Sequence, residues 1–237
     1  MVTGHAGHVS AWDMVTSDYW GVSLSHSGSH KSYRPLTSLS FKINWLLTGS
    51  SPFYFHLTNV ILHGIVTYLF IKLVTTLPRV TKSVTLVSGL TWAVHPVHTE
   101  AVAGVVGRAD ILCTLFYLAT LLHHRQRGWS LATPFLATMA MLAKEQGVTV
   151  LAVCFLGDLL DQTRKFAERR RSMLRIFLSV IIILSLRGTF LSGQLPTFSK
   201  ADNPASHDES LLTRKGFINI VNWSLIVVIV SKFKNLS

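Results

Sequence analysis

The sequence predicts an all-α polytopic membrane protein, and three observations carry that expectation. Apolar runs recur along the chain, from His56–Leu77 through Leu174–Leu186 to Phe217–Val230, the first as long as a bilayer crossing requires. Only 14% of the 237 residues are charged and 49% are hydrophobic, whereas about a quarter of an ordinary soluble domain is charged. The cations gather beside the apolar runs, so the net charge of +11 reads as membrane orientation and not as nucleic-acid binding. Met1–Ser51 lacks the basic-then-apolar start of a signal sequence. Cys113 and Cys154 fall within apolar runs and read as small core residues, with nothing to support a disulfide between them.

Residues 1–55 form the first unit, a polar and aromatic loop with a short interfacial helix. Ser17-Asp18-Tyr19-Trp20-Gly21 sets a carboxylate among aromatics. His26-Ser27-Gly28-Ser29-His30-Lys31-Ser32-Tyr33-Arg34-Pro35 supplies the cations and approachable backbone N–H groups that suit a phosphate oxyanion, although the spacing is not that of a P-loop. A solvated loop explains the same residues equally well. Leu36, Leu39, Ile43, Leu46 and Leu47 follow helical spacing, with Lys42 and Trp45 as interface anchors.

Residues 56–187 form a transmembrane bundle. In the first span His56, Asn59 and His63 share a face and should point into the bundle. Ser83–Val94 is a short second span that ends at Pro96, which has no N–H and holds His95 out of helical geometry. The stretch from His95 to Asp110 then holds His95, His98, Glu100, Arg108 and Asp110, with Pro96 placed to start a new helix and Ala103, Gly104 and Gly107 permitting close approach. A polar turn at headgroup level is the bland reading, but it needs fewer ionisable groups. Ile111–Leu122 leads to His123-His124-Arg125-Gln126-Arg127. Trp129–Ala143, with Pro134 as a kink, leads to Lys144-Glu145-Gln146-Gly147. Val148–Leu160 precedes a segment, Arg164–Arg175, with six Lys or Arg. Residues 188–216 are a second polar loop, and 217–237 a final span with a short tail. Several spans are shorter than ideal, so one pair could be re-entrant.

Placing Lys72, Arg79, Lys82, Arg125, Arg127, Arg164–Arg175, Lys232 and Lys234 on the cytosolic side satisfies the positive-inside rule. The stretches 1–55, 95–110, 144–147 and 188–214 then share the luminal face. Topology drawn from hydropathy and cations thus brings every chemistry-bearing stretch to one side. His95, His98 and Glu100 fit no standard zinc spacing, and no metal or other cofactor is expected. Lys31, Arg34, Arg108 and Lys144 are candidates for an anion clamp, beside the carboxylates Asp13, Asp18, Glu100, Asp110 and Glu145. That combination suits group transfer from a phosphate-linked donor. Simple ion pairing at the interface accounts for the spacing as well.

The motifs at 26–36, 95–110 and 144–151 (Lys-Glu-Gln-Gly-Val-Thr-Val-Leu), together with Asp202-Asn203-Pro204-Ala205 and Ser210–Arg214, closely resemble the transmembrane and tetratricopeptide repeat containing family, the O-mannosyltransferases that target cadherins. The resemblance covers about Asp18 to Arg214. It implies a partial GT-C type glycosyltransferase bundle in the endoplasmic reticulum membrane. Such an enzyme moves mannose from the lipid donor dolichyl-phosphate mannose to a Ser or Thr hydroxyl of a luminal protein such as a cadherin. On that reading Asp18 and Glu100 are catalytic, Lys31, Arg34, Arg108 and Lys144 bind the donor phosphate, and His30, His95, His98, Asp110 and Glu145 complete the site. The family's first helix, its early acidic pair and its tetratricopeptide array are not visible here, which implies a chain shortened at both ends and transferring little mannose by itself. A non-catalytic pseudo-transferase is the rival reading. A transporter would show paired inverted halves, and no internal repeat is found.

Overall fold

The computed structural model describes residues 11–26 and 29–191. The expected loop beyond residue 191, the final span and the motifs at 202–214 lie outside these residues. Among the described residues all regular structure is helical, apart from one isolated bridge between Ser17 and Ser23. The helices are α1 (Ala11–Thr16), α2 (Pro35–Thr48), α3 (Pro52–Thr75), α4 (Lys82–Val94), α5 (Thr99–Ala103), α6 (Arg108–Arg127), α7 (Ala132–Ala143), α8 (Val150–Leu160) and α9 (Phe166–Phe190). Short 3₁₀ turns occupy Pro96–His98 and Glu145–Thr149.

The breaks follow from the residues at them. Pro35 and Pro52 open α2 and α3, where a missing N–H costs nothing. Gly49 (φ 67°) and Gly128 (φ 71°) close α2 and α6 in the left-handed region that glycine tolerates. The Thr81 hydroxyl accepts from the Val84 amide and caps α4. Pro134 lies in the first turn of α7 and not at a mid-span kink, because the helix starts only at Ala132.

Among the described residues two helices, α3 with 24 residues and α9 with 25, are long and apolar enough to cross a membrane. The segment Pro96–Ala103 and α6 together count as a third only as a pair bent by 116°. The remaining expected spans stay short: α4 opens one residue before Ser83, and α7 and α8 open three and two residues after Trp129 and Val148. Helices α4, α7 and α8 have 13, 12 and 11 residues, about 20 Å or less at 1.5 Å per residue. The polar segments at 95–98 and 144–149 interrupt them early. The α7–α8 segment folds back at Lys144–Thr149.

The core joins α3, α6, α7, α8 and α9 through Val66, Leu73, Leu118, Met141, Leu151 and Ile176. On α7 Ala137, Ala140 and Ala143 are fully buried, and their small side chains let neighbouring backbone come close. The Thr37 hydroxyl uses that proximity to donate to the Ala143 carbonyl at 2.9 Å. Val60, Ile61, Ile65 and Tyr68 on α3, and Phe177, Leu178, Ile181 and Ile182 on α9, are exposed. Continuous apolar faces of this kind suit lipid contact. On α2, Leu39, Ile43, Leu46 and Leu47 are exposed opposite the buried Thr37, Phe41 and Asn44, and Lys42 lies 5.2 Å from the Trp45 ring. This is the geometry anticipated for an interfacial helix.

Candidate functional site

The helix ends sort into two groups. Contacts link the start of α3, the 95–107 turn, the start of α6, the 144–149 turn and the end of α9. At the opposite end Thr76, Arg125, His124, Asp158 and Arg164 meet. The chemistry-bearing stretches within the described residues therefore share one end of the bundle, as their alternation with basic segments implies.

The first loop is held by Asp18, which is 3% exposed. Its carboxylate accepts from the amides of Trp20, Val22 and His30 at 3.0, 3.0 and 3.1 Å, and from the Ser29 hydroxyl at 2.7 Å. Four donors match the acceptor capacity of one carboxylate. Lys31 adopts a left-handed conformation (φ 56°). Its buried ammonium donates to the Leu24 carbonyl and, at 3.1 Å, to that of His26. The Tyr19 hydroxyl donates to the Val106 carbonyl at 3.2 Å and ties this loop to the 95–107 turn. Burial pushes its acidity down, with the pKa raised to about 12 despite the nearby Arg34 charge.

Arg108, at the start of α6, is fully buried. It donates to Asn59 Oδ1 (2.8 Å), Asn44 Oδ1 (2.9 Å), the Phe55 carbonyl (2.8 Å) and the Ser40 carbonyl (3.4 Å). Its guanidinium also lies 4.6 Å from the Phe41 ring centre and 5.4 Å from that of Phe55. One side chain thus joins α2, α3 and α6. Asn59 completes the hub by donating to the Gly104 carbonyl at 3.1 Å. Gly107 is forced by packing, since a Cβ there would lie 2.5 Å from Ala101 Cα.

Beside this hub lies a cavity of about 550 Å³ lined by Arg34, Glu100, Asp110, Lys144, Gln146 and the imidazoles of His63 and His98, with Trp92, Val66 and Ile111 as apolar walls. Lys144 is paired with Asp110. Arg34 is paired with Glu145, Nε to Oε2 at 3.0 Å and Nη2 to Oε2 at 3.0 Å, and Arg187 approaches the same carboxylate at 3.6 Å. Glu100 is exposed; its backbone carbonyl accepts from the Gly104 amide at 2.9 Å, while among the described residues its carboxylate has no hydrogen-bond partner. The His98 ring packs at a tilt against two neighbours, 5.2 Å from the His63 ring and 4.7 Å from Trp92. His63 Nε2 lies 3.1 Å from the Ala93 carbonyl.

Of the four cations expected to form a clamp, Arg34 and Lys144 line the cavity, whereas Lys31 and Arg108 have their donors engaged by the scaffold. Of the two carboxylates assigned to catalysis, Glu100 lines the cavity and Asp18 staples the first loop. His98 and Asp110 also line it. Glu145 lies behind Arg34, His30 is half-buried with its amide on Asp18, and His95 is exposed, accepting at Nδ1 from the Val97 amide. His56, expected to face inward with Asn59 and His63, is exposed, whereas Asn59 is buried and His63 half-buried. Among the described residues no three His, Cys, Asp or Glu side chains converge as a metal-ligand set, and Cys113 and Cys154 are both free and buried. Trp92, Gln146 and Arg187 were not singled out from sequence. Arg187 carried a usable signal, as a lone cation at the end of an apolar run.

These features define the class: an all-α membrane protein with a mixed polar and apolar cavity at one end of its bundle. The chain is 44% identical over 229 residues to protein O-mannosyl-transferase TMTC2 of Mus musculus, covering 84% of this chain and 26% of the relative. It is 43% identical over 223 residues to the Xenopus laevis protein of that name, with the same coverage. It is 44% identical over 170 residues to protein O-mannosyl-transferase TMTC1 of Homo sapiens, covering 65% of this chain and 19% of the relative. No family model and no solved structure matches. The chain belongs to the transmembrane and tetratricopeptide repeat containing family, and spans about a quarter of the length of the TMTC2 relatives it matches.

Proposed function

We propose that the cavity between the 95–107 turn, α6 and the 144–149 turn is the donor site of a protein O-mannosyltransferase, facing the lumen of the endoplasmic reticulum. The observation that carries this reading is the unpaired Glu100 carboxylate sharing one cavity with Arg34 and Lys144. Transfer from dolichyl-phosphate mannose needs three things: a base for the acceptor hydroxyl, positive charge for the departing phosphate, and an apolar path for the lipid. Glu100 takes the proton of a Ser or Thr hydroxyl as its oxygen bonds to the anomeric carbon. The bond from that carbon to the phosphate oxygen breaks, and dolichyl phosphate leaves against Lys144 and Arg34. Asp110 and Glu145 hold these cations in place, and each cation has further N–H donors to offer. Val66, Trp92 and Ile111 supply the apolar walls. A luminal cadherin domain is the proposed acceptor, and the bundle is proposed as part of a GT-C type architecture.

The test is retention of radiolabelled dolichyl-phosphate mannose by the chain in liposomes. Wild type should retain it, and Lys144→Ala with Arg34→Ala should release it while thermal unfolding still shows a folded bundle. Equal retention by a folded double variant overturns the assignment.

A further inference from the structure

We infer that the opposite end of the bundle carries a second anion site, fitted to a phosphate group borne on an apolar tail, as in an anionic phospholipid. A cavity of about 650 Å³ opens there between the ends of α3, α6 and α8. Its polar wall holds Arg125, Arg127, Arg164 and His124, and its apolar wall includes Leu73, Leu77, Leu121 and Val153. The two carboxylates present are already engaged. Asp158 is buried and held by His124 Nε2 at 3.2 Å and Arg164 Nη1 at 3.0 Å. Asp161 accepts from the Thr163 amide at 3.0 Å and from its hydroxyl at 2.6 Å.

The guanidiniums retain capacity. Arg125 donates Nε and one Nη to the Thr76 carbonyl, which leaves further N–H groups, and Arg127 is exposed with no partner among the described residues. His124 is 7% exposed, and its Nδ1 has no partner. Lys165, Arg169, Arg170 and Arg171 follow at the N-cap and in the first two turns of α9 and add to the positive field at this end. A guanidinium pair matches a phosphate bidentately, and an apolar wall beside it suits acyl chains. The 20 residues of α6 separate this cavity from the proposed donor site by about 30 Å, so the inference does not rest on that assignment.

The experiment is native mass spectrometry of the whole chain released from nanodiscs of phosphatidylcholine containing one tenth phosphatidic acid, with inorganic phosphate added to detergent-solubilised chain as a separate arm. Wild type should retain phosphatidic acid at least tenfold above its share of the nanodisc, and Arg125→Gln/Arg127→Gln should bring retention down to that share. Both positions are exposed, and an unchanged unfolding midpoint checks that the variant is folded. Binding of inorganic phosphate without lipid enrichment, lost in the same variant, assigns the site to a free anion. No enrichment and no phosphate binding by wild type, or equal binding by the folded variant, overturns the inference. Loss of donor retention at the other end leaves it untouched.

Discussion

Arg108 and Lys144 are basic residues at the same end of the bundle, yet the regions around them differ in one decisive respect. Around Arg108 the polar network is closed, since four oxygens from α2, α3 and the segments beside them accept from a guanidinium with no exposure. Around Lys144 the network is open. Lys144 has one carboxylate partner and borders a cavity that it shares with Glu100, whose carboxylate has no partner among the described residues. Both regions are rich in ionisable groups, so density of charge does not separate scaffold from site. Hydrogen-bonding capacity left over does.

The largest effect should come from breaking the closed region. Arg108→Leu leaves the side-chain oxygens of Asn44 and Asn59 without their donor and removes the second donor of the Phe55 carbonyl, which keeps its bond within α3. Buried acceptors so orphaned cost about 1–3 kcal/mol each, giving a net loss of about 3–5 kcal/mol. Thermal unfolding in detergent should show a strongly lowered midpoint. Arg108→Lys should recover little, because an ammonium cannot reproduce the planar fork.

Much of this division was legible in the sequence, and the illegible part has a physical cause. Hydropathy and Lys/Arg placement divided the helix ends into the same two groups that the contacts join, because apolar runs fix where helices begin and end. The apolar face of α2 was legible from the spacing of Leu39, Ile43, Leu46 and Leu47. The motif residues of the described stretches also gather at one end of the bundle. Which motif residues remain open was not legible, because it depends on contacts across long separations. Arg108 is met by Asn59 and Asn44, 49 and 64 residues away, and no local pattern announces those partners. Asp18 is satisfied by neighbours up to 12 residues on, but only the fold of the loop brings Ser29 and His30 back to it. The breaks at Pro96 and Lys144 were legible, whereas α7 and α8 start later than hydropathy places them, because Trp129 precedes the helix and Val148–Thr149 belong to a 3₁₀ turn.

Smaller effects sharpen the same comparison. Gly107→Ala forces a Cβ against the Ala101 backbone, which cannot yield as a side chain would, and should cost about 1–3 kcal/mol. The unfolding midpoint reads it. Asp18→Asn replaces an acceptor facing four donors by an amide with one acceptor oxygen, at about 1–3 kcal/mol. Hydrogen exchange should accelerate at the amides of Trp20, Val22 and His30 and stay unchanged in α6. Glu145→Gln lies in a partly exposed pair with Arg34 and should cost about 1 kcal/mol or less. It should nonetheless weaken retention of the lipid donor several-fold by releasing Arg34 from its place.

The claim that the open region is the reacting site is tested most directly by Glu100→Gln beside Asp18→Asn. Both are placed in the chain completed to the length of its relatives, and mannose transfer to a cadherin domain is measured per folded molecule. Loss of a general base removes about 10²–10⁴-fold in rate. Glu100→Gln should lose that much with an unchanged unfolding midpoint, and Asp18→Asn should keep its rate per folded molecule. Near-normal transfer by Glu100→Gln, with transfer abolished in folded Asp18→Asn, would contradict the account and move the base to the first loop.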